Sequence, residues 1–187
     1  MNSEPKLIRA AVERAEWEGW SPATLRAACL DTGEDPALVD SHFPRGVAGA
    51  VADWAALADE EMEAAAALEE MASWRIPVRV RRLVELRLRA VEPHREALRG
   101  ALRVLALPWN LPLALRTAAR TADAMWHAAG DTSADFSWYT RRATLAAVYG
   151  ATLAFWLSPR APEMEEAMAF LDRRLAELAP RRNPKAA

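Results

Sequence analysis

RTADAMWHAAGDTSADFSWYTRRATLAAVYGATLAFWL, residues 120–157, decides the fold. It holds three of the eight tryptophans and both tyrosines, with a turn, Gly130-Asp131-Thr132-Ser133, between two strongly apolar segments. Thr132-Ser133-Ala134-Asp135 has the form of a capping box, in which a hydroxyl accepts from the first free backbone N–H groups of a helix. From there to Leu157 no proline interrupts, and apolar residues cover most of the circumference. A helix of that kind is buried, or faces a partner or an apolar ligand. Its first turns nevertheless carry Asp135, Ser137, Trp138, Tyr139, Arg141 and Arg142, a polar-aromatic mixture typical of contact hot spots.

The remainder of the 187 residues is consistent with an all-α chain forming one domain with at most a small appendage. Alanine and leucine dominate the periodic segments, and β-branched residues are scarce. The single Cys29 excludes a disulfide framework and suits a reducing compartment. The first residues lack a basic region followed by an apolar one, and no long uncharged apolar run occurs, so neither a signal peptide nor a membrane span is expected. The expected location is cytoplasmic, with peripheral contact at the inner membrane.

The net charge of −2 conceals an asymmetry. Residues 1–60 carry 5 basic and 11 acidic side chains, whereas residues 75–120 carry 11 arginines against 3 glutamates. A basic middle can meet an acidic protein, anionic headgroups or a nucleic acid, or it can be a solvated arginine face.

Periodicity and breaker residues predict about nine helices. The first spans Pro5 to Glu18, with Leu7, Ile8, Ala11, Val12 and Ala15 on one stripe. Ser21-Pro22 starts the second and Thr32-Gly33 closes it. Glu34-Asp35-Pro36 opens a short third helix through Ser41, and a long fourth runs from Val47 to about Ser73. The fifth covers Val78 to Val91, the sixth His94 to Leu107 and the seventh Leu113 to Ala129. The segment from Asp135 is the eighth, and Pro162 to Leu178 the ninth. The expected division is 1–46, a helix-turn-helix-like subdomain; 47–179, a helical ligand-binding and dimerisation bundle; and 180–187, a basic tail.

Over about 60 residues the N-terminal pattern resembles the helix-turn-helix of tetracycline-repressor (TetR) type regulators. A ligand-responsive transcriptional regulator is therefore the alternative reading, and electrostatics opposes it. A recognition helix must approach a polyanion, and Lys and Arg contacts to phosphate supply most of the affinity. Here residues 34–41 read EDPALVDS, with three acids and no base. No nucleic-acid partner is expected.

Catalytic and metal chemistry is not legible either. His42, His94 and His127 lie far apart, and none stands three residues after a glutamate, so the ligation pattern of di-iron helical bundles is missing. No cysteine pair or HExxH offers a zinc site. No Gly-rich phosphate loop is present. The chain is expected to be no enzyme and to hold no metal or cofactor.

Asp131-Thr132-Ser133, Asp135-Phe136 and Trp138-Tyr139-Thr140-Arg141-Arg142-Ala143 together resemble the signature of the ubiquinone-biosynthesis accessory lipid-binding family. Phe43-Pro44-Arg45-Gly46, Leu107-Pro108 with Asn110 and Pro112, and Phe170-Leu171-Asp172-Arg173-Arg174 extend the resemblance to about residues 5–178. It implies a TetR-like homodimer whose C-terminal helices hold an isoprenoid lipid, including quinone precursors. It also implies a surface patch that docks the demethoxyubiquinone di-iron hydroxylase, falling here on Asp135, Trp138, Tyr139 and Arg142. The arginine-rich fifth helix is the expected contact with an anionic membrane. Such a carrier needs an apolar cavity for the tail, and burying prenyl carbons gains roughly 25 cal/mol per Å². The expected walls are Leu83, Leu86, Leu102, Leu105, Leu113, Met125, Trp126, Tyr149 and Leu153, each of which could equally be ordinary core.

Overall fold

The structure, a computed structural model, describes residues 4–130 and 137–178, with the side chains of 137–139 and 178 left out. All regular elements among the described residues are helical: α1 (Pro5–Glu18), α2 (Pro22–Thr32), α3 (Val39–His42), α4 (Gly46–Ala67), α5 (Ile76–Val91), α6 (Arg95–Leu105), α7 (Leu111–Ala128), α8 (Ser137–Trp156) and α9 (Met164–Leu178). Short 3₁₀ turns precede α3, α5, α6 and α7.

Local chemistry sets most of these ends. Ser21 caps α2 by accepting from the Thr24 N–H at 3.1 Å, and Gly33 closes it in the left-handed conformation at φ 81°. Pro77 and Pro112, just ahead of the expected starts at Val78 and Leu113, lie inside the first turns of α5 and α7. A missing N–H costs nothing there, so both helices begin two residues earlier than expected. The fourth helix is shorter than its pattern. It stops at Ala67, and Glu69 then turns away to receive the Arg82 guanidinium, with Nη2 2.6 Å from Oε1.

α4 lies centrally, packed against α1, α5, α6 and α7, while α8 rests on α7 and α9. One continuous apolar core runs from Leu7 to Leu171, so residues 1–46 share it with the helices that follow. α1 reaches α6 directly. Glu16 accepts from the free backbone N–H groups of Glu96 at 3.3 Å and Ala97 at 2.8 Å, neutralising the positive end of that helix. Trp20 Nε1 donates to the Ala97 carbonyl at 2.7 Å, and its ring lies against Gly100 so closely that a Cβ there would stand 2.9 Å from it. From the same first turns of α6, Arg95 and Arg99 donate to carbonyls at the end of α8, Trp156 (2.6 Å) and the following Leu157 (3.0 Å).

Candidate functional site

Between α4, α5, α6, α7 and α8 lies a cavity of about 320 Å³, at the lower end of the ~300–1,000 Å³ usual for small-molecule sites. Its floor is buried: Val51 and Trp54 from α4, Val91 from α5, Leu98 and Ala101 from α6, and Leu153 from α8. Ala106, Leu111, Ala118 and Gly150 are its exposed members and mark the opening. The helices leave space here because small residues (Ala101, Ala114, Ala118, Ala146 and Gly150) face it where large side chains would fill the gap.

One charged side chain belongs to the wall, Arg87, 4% exposed. Its Nε donates to Asp59 Oδ1 at 2.9 Å and its Nη2 to the Ala55 carbonyl at 3.2 Å. Thr121 Oγ1 donates to both oxygens of Asp59, at 3.0 and 3.1 Å. Burial alone would lower the Arg87 pKa, but its neighbours, Asp59 at 2.9 Å above all, raise it overall, so the guanidinium stays charged. Burial also pushes the Tyr149 phenol above its ordinary value, against the opposing pull of Arg87, which keeps it protonated at neutral pH.

The mouth carries an unusual surface. Leu107, Trp109, Leu111 and Leu115 cluster on the Pro108–Asn110 turn and the start of α7, with Trp109 74%, Leu115 63% and Leu111 54% exposed. The turn is fixed by Asn110 Nδ2, which donates to the Val104 carbonyl at 2.8 Å. Exposed Arg103 and Arg116 flank it.

Of the expected walls, Leu102, Leu105, Tyr149 and Leu153 line this cavity. Leu83 and Met125 are fully packed core, and Leu86 packs against that core from its edge. Leu113 lines a small crevice between α4 and α7, beside Arg116 and Arg120. Trp126 lines a second, open apolar groove of about 460 Å³, together with Ile76, Val80, Thr140, Arg141 and Val148. The reason for this dispersal is rotational. Neighbouring apolar positions on one helix point about 100° apart, so only one stripe of each can face a given void. Val51, Trp54, Val91, Leu98 and Leu111 were missed for the same reason.

Within the expected docking patch, Asp135 lies outside the described residues, as do the capping box and the side chains of Trp138 and Tyr139. Arg142 is bound across to α7, its Nε donating to Asp123 Oδ1 at 2.6 Å. The second groove begins one turn along α8 from Trp138.

The arginine face of α5, the expected contact with headgroups, is largely engaged in internal pairs. Arg79 donates to the carbonyls of Trp74 and Ala129, at 2.9 Å each. Arg81 pairs with Asp172, Arg82 with Glu69 and Glu85, Arg87 with Asp59, and Arg89 with Glu85. Its cationic field toward a membrane is correspondingly weakened. No helix among the described residues is long and apolar enough to cross a membrane. No group of three or more His, Cys, Asp or Glu suited to a metal ion occurs among them.

Comparison with known proteins places these features in context. The COQ9 family model matches residues 111–180, from the cavity mouth through α9. The ubiquinone biosynthesis proteins COQ9, mitochondrial, of Rattus norvegicus and Homo sapiens are each 44% identical over 96 residues. Those matches cover 51% of this chain and 31% and 30% of the two relatives, so the chain spans about a third of their length. The corresponding Drosophila melanogaster protein is 26% identical over 176 residues, covering 92% of this chain and 54% of the relative. Among solved structures, a TetR transcriptional regulator from Nitrosomonas europaea superposes with a TM-score of 0.73 at 19% identity, covering 93% of this chain and 96% of the regulator. That likeness is one of fold.

Proposed function

We propose, from the match of residues 111–180 to the COQ9 family model and from the TetR-like fold, that this chain is a COQ9-type protein that serves ubiquinone biosynthesis as a non-catalytic lipid-handling accessory. It takes an isoprenoid quinone precursor into the cavity beneath Leu111 and presents it to the demethoxyubiquinone di-iron hydroxylase. One observation carries this reading: an almost wholly apolar cavity opens beside an exposed tryptophan turn. A water-insoluble precursor gains free energy in proportion to the apolar area it buries there. Its long tail exceeds 320 Å³, so the tail continues out over Leu111 and Leu115.

The same turn is the proposed contact with the bilayer. An indole at an interface suits the headgroup boundary, and Arg103 and Arg116 complement anionic lipid. Docking of the hydroxylase is assigned to the start of α8 with Trp138, Tyr139, Asp135 and Arg142, beside the second groove. A homodimer belongs to the same reading. The regulator alternative has fold in its favour, but its N-terminal segment is strongly acidic where a DNA reader needs cations.

Mass spectrometry of an organic extract of the purified protein, against empty-vector material, tests the cavity. Near-stoichiometric isoprenoid is the expected result, and a clean blank even after feeding precursor refutes it. Trp138→Ala and Tyr139→Lys test the docking face. Both should weaken hydroxylase binding while lipid content and Tm persist, and wild-type binding by both removes the assignment.

A further inference from the structure

The cavity is apolar at its mouth, and the buried residues of its floor include one charged group, Arg87. Arg87 directs Nε and Nη2 toward α4, where Asp59 and the Ala55 carbonyl accept them. Its Nη1 is buried and has no hydrogen-bond partner, in a side chain that lines the cavity. A buried donor left unpaired carries the full cost of its desolvation, so a ligand oxygen that reaches it recovers that cost as affinity.

The charge around that donor selects the kind of oxygen. Arg87 is balanced by Asp59 at 2.9 Å, and no other charged residue is among the described residues of the wall. The site is therefore electrically neutral as it stands. A carboxylate or phosphate arriving there would introduce a net negative charge into a low-dielectric floor, whereas a carbonyl or phenol oxygen would not.

The geometry points to Arg87 as the reader of an uncharged oxygen on the ligand's head, so that the amphiphile enters head-first with its tail left at the mouth. This inference rests on the proposed lipid-handling role and adds to it an orientation and a ligand class: neutral amphiphiles with an acceptor oxygen, in preference to fatty anions. A quinone or phenol ring and an acyl ester share that chemistry.

The test is displacement of the neutral dye N-phenyl-1-naphthylamine from the wild-type protein by four probes with one short prenyl tail: a benzoquinone, a methyl ester, the corresponding carboxylic acid at pH 8, and a benzene lacking oxygen. A hydrogen bond to a charged donor predicts that a neutral acceptor binds at least about tenfold more tightly than the benzene. The acid should bind more weakly than its own ester. Quinone above ester identifies a ring as the natural head, and ester above quinone an acyl ester; either order supports the assignment.

In the double variant Asp59→Leu with Arg87→Met, which removes donor and counter-charge together, the ratio of benzoquinone to benzene affinity should fall to about one. Equal affinities for all four probes on the wild-type protein would overturn the head-group assignment and leave lipid binding standing. The same holds if the acid binds more tightly than the ester. Failure of every probe to displace the dye would remove the lipid-handling role itself, and this inference with it.

Discussion

Replacing Asp59 by asparagine preserves the shape of the side chain and removes the charge that balances Arg87. The two side chains are 4% and 5% exposed, so water does not compensate for the loss. Removing one partner of a buried, hydrogen-bonded ion pair costs ~3–5 kcal/mol. The amide oxygen can still accept from Thr121 or Arg87, which places Asp59→Asn near the lower end, about 3 kcal/mol. Against a total stability of ~5–15 kcal/mol this is a large fraction. For a chain of this length it corresponds to a fall in Tm of about 6–12 °C. Urea unfolding followed by circular dichroism measures it, and the midpoint should drop with an unchanged slope. The double variant Asp59→Leu with Arg87→Met should instead lie within about 1 kcal/mol of wild type or above it, because an apolar pair of similar volume avoids the desolvation that the ion pair suffers. A single variant that loses less than about 1 kcal/mol would show that the pair is solvated and that the cavity floor is not the low-dielectric site described.

Three further outcomes are expected. Gly150 sits in the middle of α8 at the cavity mouth, and a Cβ there meets nothing within 4 Å; Gly150→Phe should plug the opening and deplete extractable isoprenoid while Tm holds or rises, and retained lipid would contradict the assigned mouth. Trp109→Glu changes a residue that is 74% exposed, so folding should be unaffected while co-sedimentation with anionic vesicles falls several-fold; undiminished sedimentation would move the bilayer contact elsewhere. Hydrogen bonds from Arg14 and Arg82 hold the Asp31 and Glu69 carboxyls below their usual range. Stability from these pairs is complete above the unfolded carboxylate values of roughly 4 and is lost as pH falls through the folded ones, so urea midpoints should be level from pH 7 to 5 and decline below about pH 4.

Much of the helical framework was legible because it is local. Ser21-Pro22, Gly19 and Gly33 act within a few residues of themselves, and the stripe Leu7, Ile8, Ala11, Val12 and Ala15 is buried as its spacing implies. The cavity was only partly legible, because a void is defined by what several helices fail to fill. Leu83 and Leu86 look alike in the sequence of α5, yet the first is core and the second lies at its edge. Arg87 is one of a run of similar arginines. What distinguishes it lies 28 residues back, at Asp59, and forward on α7, at Thr121. Asp59 itself gave little signal, because it ends the apolar run Ala55-Ala56-Leu57-Ala58 but opens the acidic run Asp59-Glu60-Glu61, which reads as a solvated face. The basic field over residues 75–120 misled for the complementary reason: its carboxylate partners, among them Glu69 and Asp172, lie outside that window.

The carboxylate of Glu16 closes the start of α6, and α6 in turn supplies Leu98, Ala101, Leu102 and Leu105 to the cavity. The front of the chain and the cavity are therefore mechanically one piece. Loosening the N-terminal helices would be felt at the cavity wall, because the first turn of α6 would lose the carboxylate that closes it.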